Sequence, residues 1–254
     1  MRLDQALVAA GLAPSRARAQ ALIAAGAVTV DGRVAGKPSL PVTASAALVV
    51  DQTALPWVSR AALKLVAGLD AFGLDPGGAV ALDLGASTGG FSQVLLARGA
   101  AEVWAVDVGH GQLAAELRDD PRLHVIEGLN VRELTDGHVP PPEFVVADLS
   151  FIPLAVALPP ALRLARPGAA LVALVKPQFE VGPARVGKGG IVRDPAAWAD
   201  AVVGAKTLLA GEGWSVLGEA PSPIQGGDGN REFLVAARKG SSDTQPDGIG
   251  RTPR

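Results

Sequence analysis

Six lysines stand against seventeen arginines in this 254-residue chain, so a lysine inside an apolar, motif-like segment invites a chemical reason. Lys64 in SRAALKL and Lys176 in LVKPQFE are two such positions. Arginine keeps its proton in a protein, whereas lysine releases it when its surroundings demand, so a general base favours lysine over arginine there. Asp148, at the end of EFVVAD, is the natural partner for Lys176. Two readings of that pair stay open, an ion pair that closes the sheet edge and a base held by its carboxylate.

The second chemical signal is ALDLGASTGGF, residues 81–91. A strand reaching Asp83 runs into a glycine turn and then a helix, so the backbone can approach a ligand at the strand's carboxyl end. Asp83, Gly85, Ser87, Gly89 and Gly90 are the candidates there. Some twenty residues on, EVWAVD ends in Asp107, placed to accept hydrogen bonds from both hydroxyls of a ribose. The alternative is that these glycines only make a tight turn. A phosphate loop is excluded because the Gly-Lys-Ser/Thr ending is missing, and Ser87 stands where a dinucleotide fingerprint needs its second glycine. S-adenosylmethionine, with a ribose and no phosphate, fits this turn better than a dinucleotide. With no cysteine, and with His110, His124 and His138 at no ligand spacing, no metal site is expected.

The elements that must position these residues alternate. Segments 79–85, 102–109, 122–128, 143–151, 169–177, 214–220 and 231–238 read as strands, and 91–100, 111–120, 156–165 and 196–213 as helices between most of them. That alternation predicts an α/β fold with a mainly parallel seven-stranded sheet, its last two strands pairing as an antiparallel edge. Before it, RLDQALVAAGLAPSRARAQALIAAGAVTVDGR divides into helix, turn, helix, turn and strand. Ser15 caps the second helix, Asp31-Gly32 signals a hairpin, and residues 46–50 supply a last strand. The expected organisation is a small α+β domain over 1–55, a linker over 56–63, a large domain over 64–239 and a disordered tail over 240–254.

The net charge of −2 conceals an asymmetry, +4 through Lys64 and −6 beyond it, as a basic nucleic-acid module on an acidic body would give. Arg16 and Arg18, at a capped helix start, form a candidate phosphate site. Lys188, in the glycine-rich 182–194 stretch, is another. The longest uncharged apolar stretch, residues 151–162, is interrupted by Pro153, Pro159 and Pro160 and falls short of the roughly 20 residues of a spanning helix. With no signal peptide read at the start, the expectation is a cytoplasmic protein without stable membrane association, monomeric by preference.

These motifs together carry a family resemblance. The large domain resembles the FtsJ-like ribose 2′-O-methyltransferases, a Rossmann-like class I fold, and the first segment resembles the alpha-L RNA-binding motif through Arg2 to Asp4, Ser15-Arg16 and Val30 to Gly32. With PWVSR, VADLSF, VKPQFEVG and GGIVRD in order, the whole is similar to the hemolysin-A-like rRNA methyltransferases (TlyA). The resemblance implies a catalytic tetrad of Lys64, Asp148, Lys176 and Glu232, and cofactor contacts from Gly89, Phe91, Asp107, Asn130 and Asp148. It also implies RNA contacts from Arg2 and Ser15, S-adenosyl-L-methionine as cofactor, and a cytidine ribose of large-subunit rRNA as substrate, in some members with a small-subunit site as well. Phe151 and Phe179 serve either to stack on a flipped base or to pack in the core. Two rival functions stay open. A membrane-lytic protein needs an amphipathic or spanning element that is not found. A base-amine methyltransferase often has two prolines where Asp148-Leu149-Ser150-Phe151 has none.

Overall fold

The computed structural model describes residues 1–51 and 57–241. The expected tail, beyond Ser241, lies outside the described residues, as do residues 52–56 of the domain junction.

In the N-terminal unit, Leu3 and Leu7 of α1 (Leu3–Ala9) and Ala19, Leu22 and Ile23 of α2 (Arg16–Ala24) fall at helical spacing and bury one face of each helix. Ser15 Oγ accepts the Arg18 backbone N–H at 3.2 Å, capping α2. The helices share a core with a small antiparallel sheet, β1 (Val28–Val30) lying between β2 (Arg33–Val34) and β3 (Leu48–Val50). Asp31 and Gly32, at φ 50° and 77°, make the turn between β1 and β2, whose twist suits a two-residue hairpin.

The large unit opens with a helix that the sequence reading did not anticipate, α3 (Ala61–Phe72). Trp57 and Val58 already pack on its core, so most of the expected linker belongs to this unit. Then follow β4 (Val80–Leu84), α4 (Gly90–Ala97), β5 (Glu102–Asp107), β6 (Leu123–Glu127), β7 (Phe144–Ala147), α5 (Leu154–Ala157), α6 (Pro159–Leu164), β8 (Ala170–Val175), α7 (Pro177–Glu180), α8 (Pro195–Gly211), β9 (Trp214–Pro221) and β10 (Phe233–Lys239). The sheet order is β6-β5-β4-β7-β8-β10-β9. β4 pairs in parallel with β5 on one side and β7 on the other, which makes its carboxyl end the switch point where ligands of open sheets bind.

As expected, the last two strands pair antiparallel at the edge of the sheet, with β9 outermost, and β10 is antiparallel to β8 as well. One detail differs from expectation. Residues 111–120, helical by propensity, form only a single 3₁₀ turn at Ala115–Leu117. All six residues of β8 are buried because helices cover both faces of the sheet, with α3 and α4 on one and α6 and α8 on the other.

Candidate active site

Backbone pairing brings four strand ends together. Leu84 lies opposite Ala147 and Ala147 opposite Ala173, so Gly85, Asp148 and Lys176 leave the sheet in neighbouring positions. Phe233 lies opposite Val175, which sets Glu232 beside Lys176 across the antiparallel ladder. Lys176 Nζ is 2.6 Å from Asp148 Oδ1 and donates to Ser150 Oγ at 2.8 Å. Lys64 Nζ, from α3, donates to Glu232 Oε2 at 2.5 Å. Lys64, Lys176 and Glu232 are only 7%, 8% and 4% exposed. Charges so buried are tolerated only when paired, so each lysine requires its carboxylate.

Beside these pairs lies a cavity of about 640 Å³, bounded by Gly85, Ser87, Asp107, Gln112, Asn130 and Asp148 on its polar side and by Val108, Val131, Leu149 and Ile152 on its apolar side. Gly85, at φ 83°, is required, because a Cβ there would sit 2.7 Å from the Asp148 carbonyl oxygen. The Asp107 carboxylate accepts the Ser87 N–H at 2.8 Å and the Gly109 N–H at 2.7 Å. It thereby fixes both turns while still bounding the cavity. Asn130 Oδ1 accepts the Arg132 backbone N–H at 3.2 Å. Gln112, absent from the sequence reading, accepts the Ser87 hydroxyl at 3.0 Å and is a further polar wall.

Other candidates fall elsewhere. Asp83 is fully buried beneath α4, where Oδ2 accepts the Ser92 hydroxyl at 2.7 Å and Oδ1 has no hydrogen-bond partner. It bounds none of the three cavities at the site among the described residues, because strand alternation turns it into the core. Burial pushes its carboxyl up to about 7, and the nearby Asp148 and Asp107 charges add to the rise. Gly89, at φ 88°, gives room to Leu117 and Leu113, whose side-chain carbons would lie 2.5 and 2.7 Å from a Cβ. Gly90 and Phe91 bound a smaller cavity that also touches Asp148 and Lys176. Phe151 is 90% exposed, at φ 65°, with its ring 5.1 Å from that of Phe179. Core packing is therefore excluded for Phe151, and a bulky residue at positive φ is strained, a cost commonly found at functional sites.

In the N-terminal unit Arg16 and Arg18 diverge. Arg16 reaches Asp4 Oδ2 at 3.2 Å, joining Arg2, which grips both oxygens of Asp4 at 3.0 Å. The Arg2 guanidinium, with Gln20 behind it, holds the Asp4 carboxyl well below the usual carboxylate range. Asp4 thus fixes two half-exposed guanidiniums in place. Arg18 instead lines a cleft of about 440 Å³ between the two units, with Gln20 on one wall and Arg60 and Lys64 on the other. Lys188 is exposed on a loop outside these cavities. Among the described residues no helix is long and apolar enough to cross a membrane, and no cluster of His, Asp and Glu could hold a metal ion.

The FtsJ-like methyltransferase family matches residues 57–239, and the S4 domain matches residues 1–48. The chain belongs to the FtsJ-like methyltransferase family. It is 49% identical to the 16S/23S rRNA (cytidine-2′-O)-methyltransferase TlyA of Mycobacterium tuberculosis, over 93% of this chain and 89% of that one. Hemolysin A of Brachyspira hyodysenteriae is 36% identical, over 92% of this chain and 98% of that one. A solved hemolysin-named chain from Streptococcus thermophilus superposes with a TM-score of 0.75 at 37% identity, covering 94% of this chain and 88% of that one.

An FtsJ-like methyltransferase needs a place for S-adenosylmethionine, and the residues present suit one. The cradle at Gly85 excludes a side chain, Asp107 offers carboxylate lone pairs for ribose hydroxyls, and the apolar wall matches a purine ring.

Proposed function

We propose that the protein methylates the 2′-hydroxyl of a cytidine in ribosomal RNA, with the large subunit as the target and S-adenosylmethionine as donor. The observation that carries this reading is the convergence of two buried lysine–carboxylate pairs beside a nucleoside-sized cavity. The cytidine and the rRNA follow the name of the Mycobacterium tuberculosis relative. With a ribosomal substrate, the reaction is read as a cytoplasmic one.

When bound, S-adenosylmethionine supplies an electrophilic methyl group on a sulfonium. Lys176 takes the 2′-hydroxyl proton as the ribose oxygen becomes nucleophilic. Asp148, 2.6 Å away, balances the ammonium charge so created, and Ser150 accepts one of its hydrogens and fixes the rotamer. Lys64 and Glu232 orient the ribose, holding the reacting oxygen in line. Phe151 stacks on the extruded base. Asp107 would hold the ribose of the cofactor, with Gly85, Ser87 and Asn130 as the surrounding walls.

Ribose-methylation mapping of rRNA from cells with and without this protein tests the proposal. A cytidine mark should vanish with the protein, and unchanged maps would defeat the reading. Cofactor binding has its own check. Asp107→Asn should weaken S-adenosylmethionine about ten- to hundredfold in calorimetry, since an ionised acceptor is lost; unchanged affinity would put the nucleoside site elsewhere.

For RNA, the arginines fixed by Asp4 offer a preorganised phosphate grip. Arg16→Ala leaves Arg2 as the partner of Asp4 and should reduce the salt dependence of rRNA binding by about one unit of log–log slope. Filter binding over a salt series reads this directly. An unaltered slope would remove Arg16 from the RNA contact.

A further inference from the structure

The 182–194 loop is fastened to the segment bearing Glu232 through one side chain. Asn230, 1% exposed, accepts the Val192 N–H on Oδ1 at 2.9 Å and donates from Nδ2 to the Gly190 carbonyl at 2.9 Å. Its own carbonyl accepts the Gly226 N–H at 2.9 Å, closing a turn over residues 226–230. That turn lies directly against the tetrad, for a Cβ on Gly226 would sit 2.5 Å from Glu232 Oε1. The Glu232 carbonyl accepts the Ser222 N–H at 2.9 Å, so the other arm of the same excursion is tied down as well. On the loop side, the Trp198 indole donates to the Val192 carbonyl at 3.0 Å and the Arg231 guanidinium lies 5.0 Å over the Trp198 ring. The loop is thus anchored to α8 and to the Glu232 segment together.

The chemistry at position 230 is narrow. One planar group must accept from Val192 and donate to Gly190, which an amide does and a carboxylate does not, since aspartate would set an oxygen against the Gly190 carbonyl. A buried amide with every hydrogen bond directed at backbone is a device for holding two segments in register. Asn230 bounds none of the cavities described above, so its effect passes through a neighbour.

We propose that Asn230 is a positioning residue for the methyl-transfer site, clamping the 182–194 loop so that the 226–230 turn backs Glu232 and keeps its carboxylate on Lys64. The proposal rests on the reading that Lys64 and Glu232 orient the target ribose. It makes the loop and the tetrad one mechanical unit, so disturbance of the loop is felt at Glu232.

The test is a double-mutant cycle in single-turnover methylation of saturating rRNA, with S-adenosylmethionine affinity measured separately. Asn230→Ala should slow transfer about tenfold, within the usual range for coupled neighbours, with cofactor affinity unchanged. Asn230→Asp, which keeps the acceptor but sets an oxygen against the Gly190 carbonyl, should be at least as slow. In a Glu232→Gln background the Asn230→Ala change should cost almost nothing further. Losses that multiply in the double variant would overturn the proposal, because a merely structural role acts independently of Glu232. Hydrogen exchange supplies the second readout. Faster exchange in Asn230→Ala should spread from residues 186–194 to residues 222–233, and acceleration confined to the loop would also overturn it. A wild-type protein that transfers no methyl group to rRNA would defeat the functional reading instead, and the exchange measurement would still decide whether the clamp exists.

Discussion

Lys176→Arg should lose at least about 10²-fold in single-turnover methylation while still binding cofactor and rRNA, the lower scale of general-base catalysis. Arginine keeps the positive charge and can still pair with Asp148, but it cannot accept the ribose proton at any accessible pH. The structure sharpens this test because the ion pair of the alternative reading is present, with Lys176 Nζ 2.6 Å from Asp148. Geometry alone therefore satisfies both a base held by its carboxylate and a cation that closes the sheet edge. The two demand opposite results. If the charge alone matters, arginine should preserve most of the rate and Lys176→Met should be far worse, since it strands Asp148 without a partner. If the proton matters, both variants should fall together. Single-turnover rates of the two variants on saturating rRNA decide it, and an arginine variant near the wild-type rate would sink the general-base assignment.

What the sequence discloses about this fold depends on how local each determinant is. Strands such as 170–175 are legible because burial on both faces leaves an unbroken apolar run between turn residues. Helix α3 is not legible in the same way. Its AALKLVAGLDAF segment contains Gly68, which costs helix propensity but sits tight against the sheet, where a Cβ would crowd Val172 Cγ1 at 3.1 Å. Packing against the sheet overrides the local preference. The opposite error occurs at residues 111–120, which have helical propensity but are diverted by tertiary bonds. Gln112 is held by Ser87, and the Thr88 carbonyl accepts the Ala114 N–H at 3.2 Å.

The site divides along the same line. Lys64 and Glu232 are 168 residues apart, and only a family resemblance links them in the sequence; in space they touch. Ser150, as a partner of Lys176, and Asn230, as a clamp, bear no local signal, since serine and asparagine are usually turn residues in such segments. Asp4 could have been suspected as a hub from its place between Arg2 and the helix bearing Arg16. Asp83 misleads most, because a carboxylate at a strand end beside a glycine turn has the look of a ligand group. Its orientation depends on strand phase, and its partner, Ser92, lies nine residues on in α4.

The buried Asp83 carboxyl is the source of the second large effect. Asp83→Asn should be favoured over the wild type increasingly as pH rises. An aspartate in the unfolded chain ionises near 3.8, whereas burial holds the folded carboxyl up to about 7. Between those values the folded state keeps a proton that the unfolded state has released, so rising pH draws the wild type toward unfolding throughout the window. Above about 7 the folded state carries the buried charge and the penalty stops growing. The asparagine variant has no such ionisation. Any fixed cost of its unpartnered amide is the same at every pH, so the change in the stability difference between variants isolates the carboxyl. From about pH 5 to about pH 8 that difference should shift by about 3 kcal/mol in favour of asparagine. Urea unfolding of both proteins at the two pH values measures it. A stability difference that does not move with pH would mean that Asp83 ionises in the folded protein much as it does in the unfolded chain, and that its burial under α4 is compensated by something other than a retained proton.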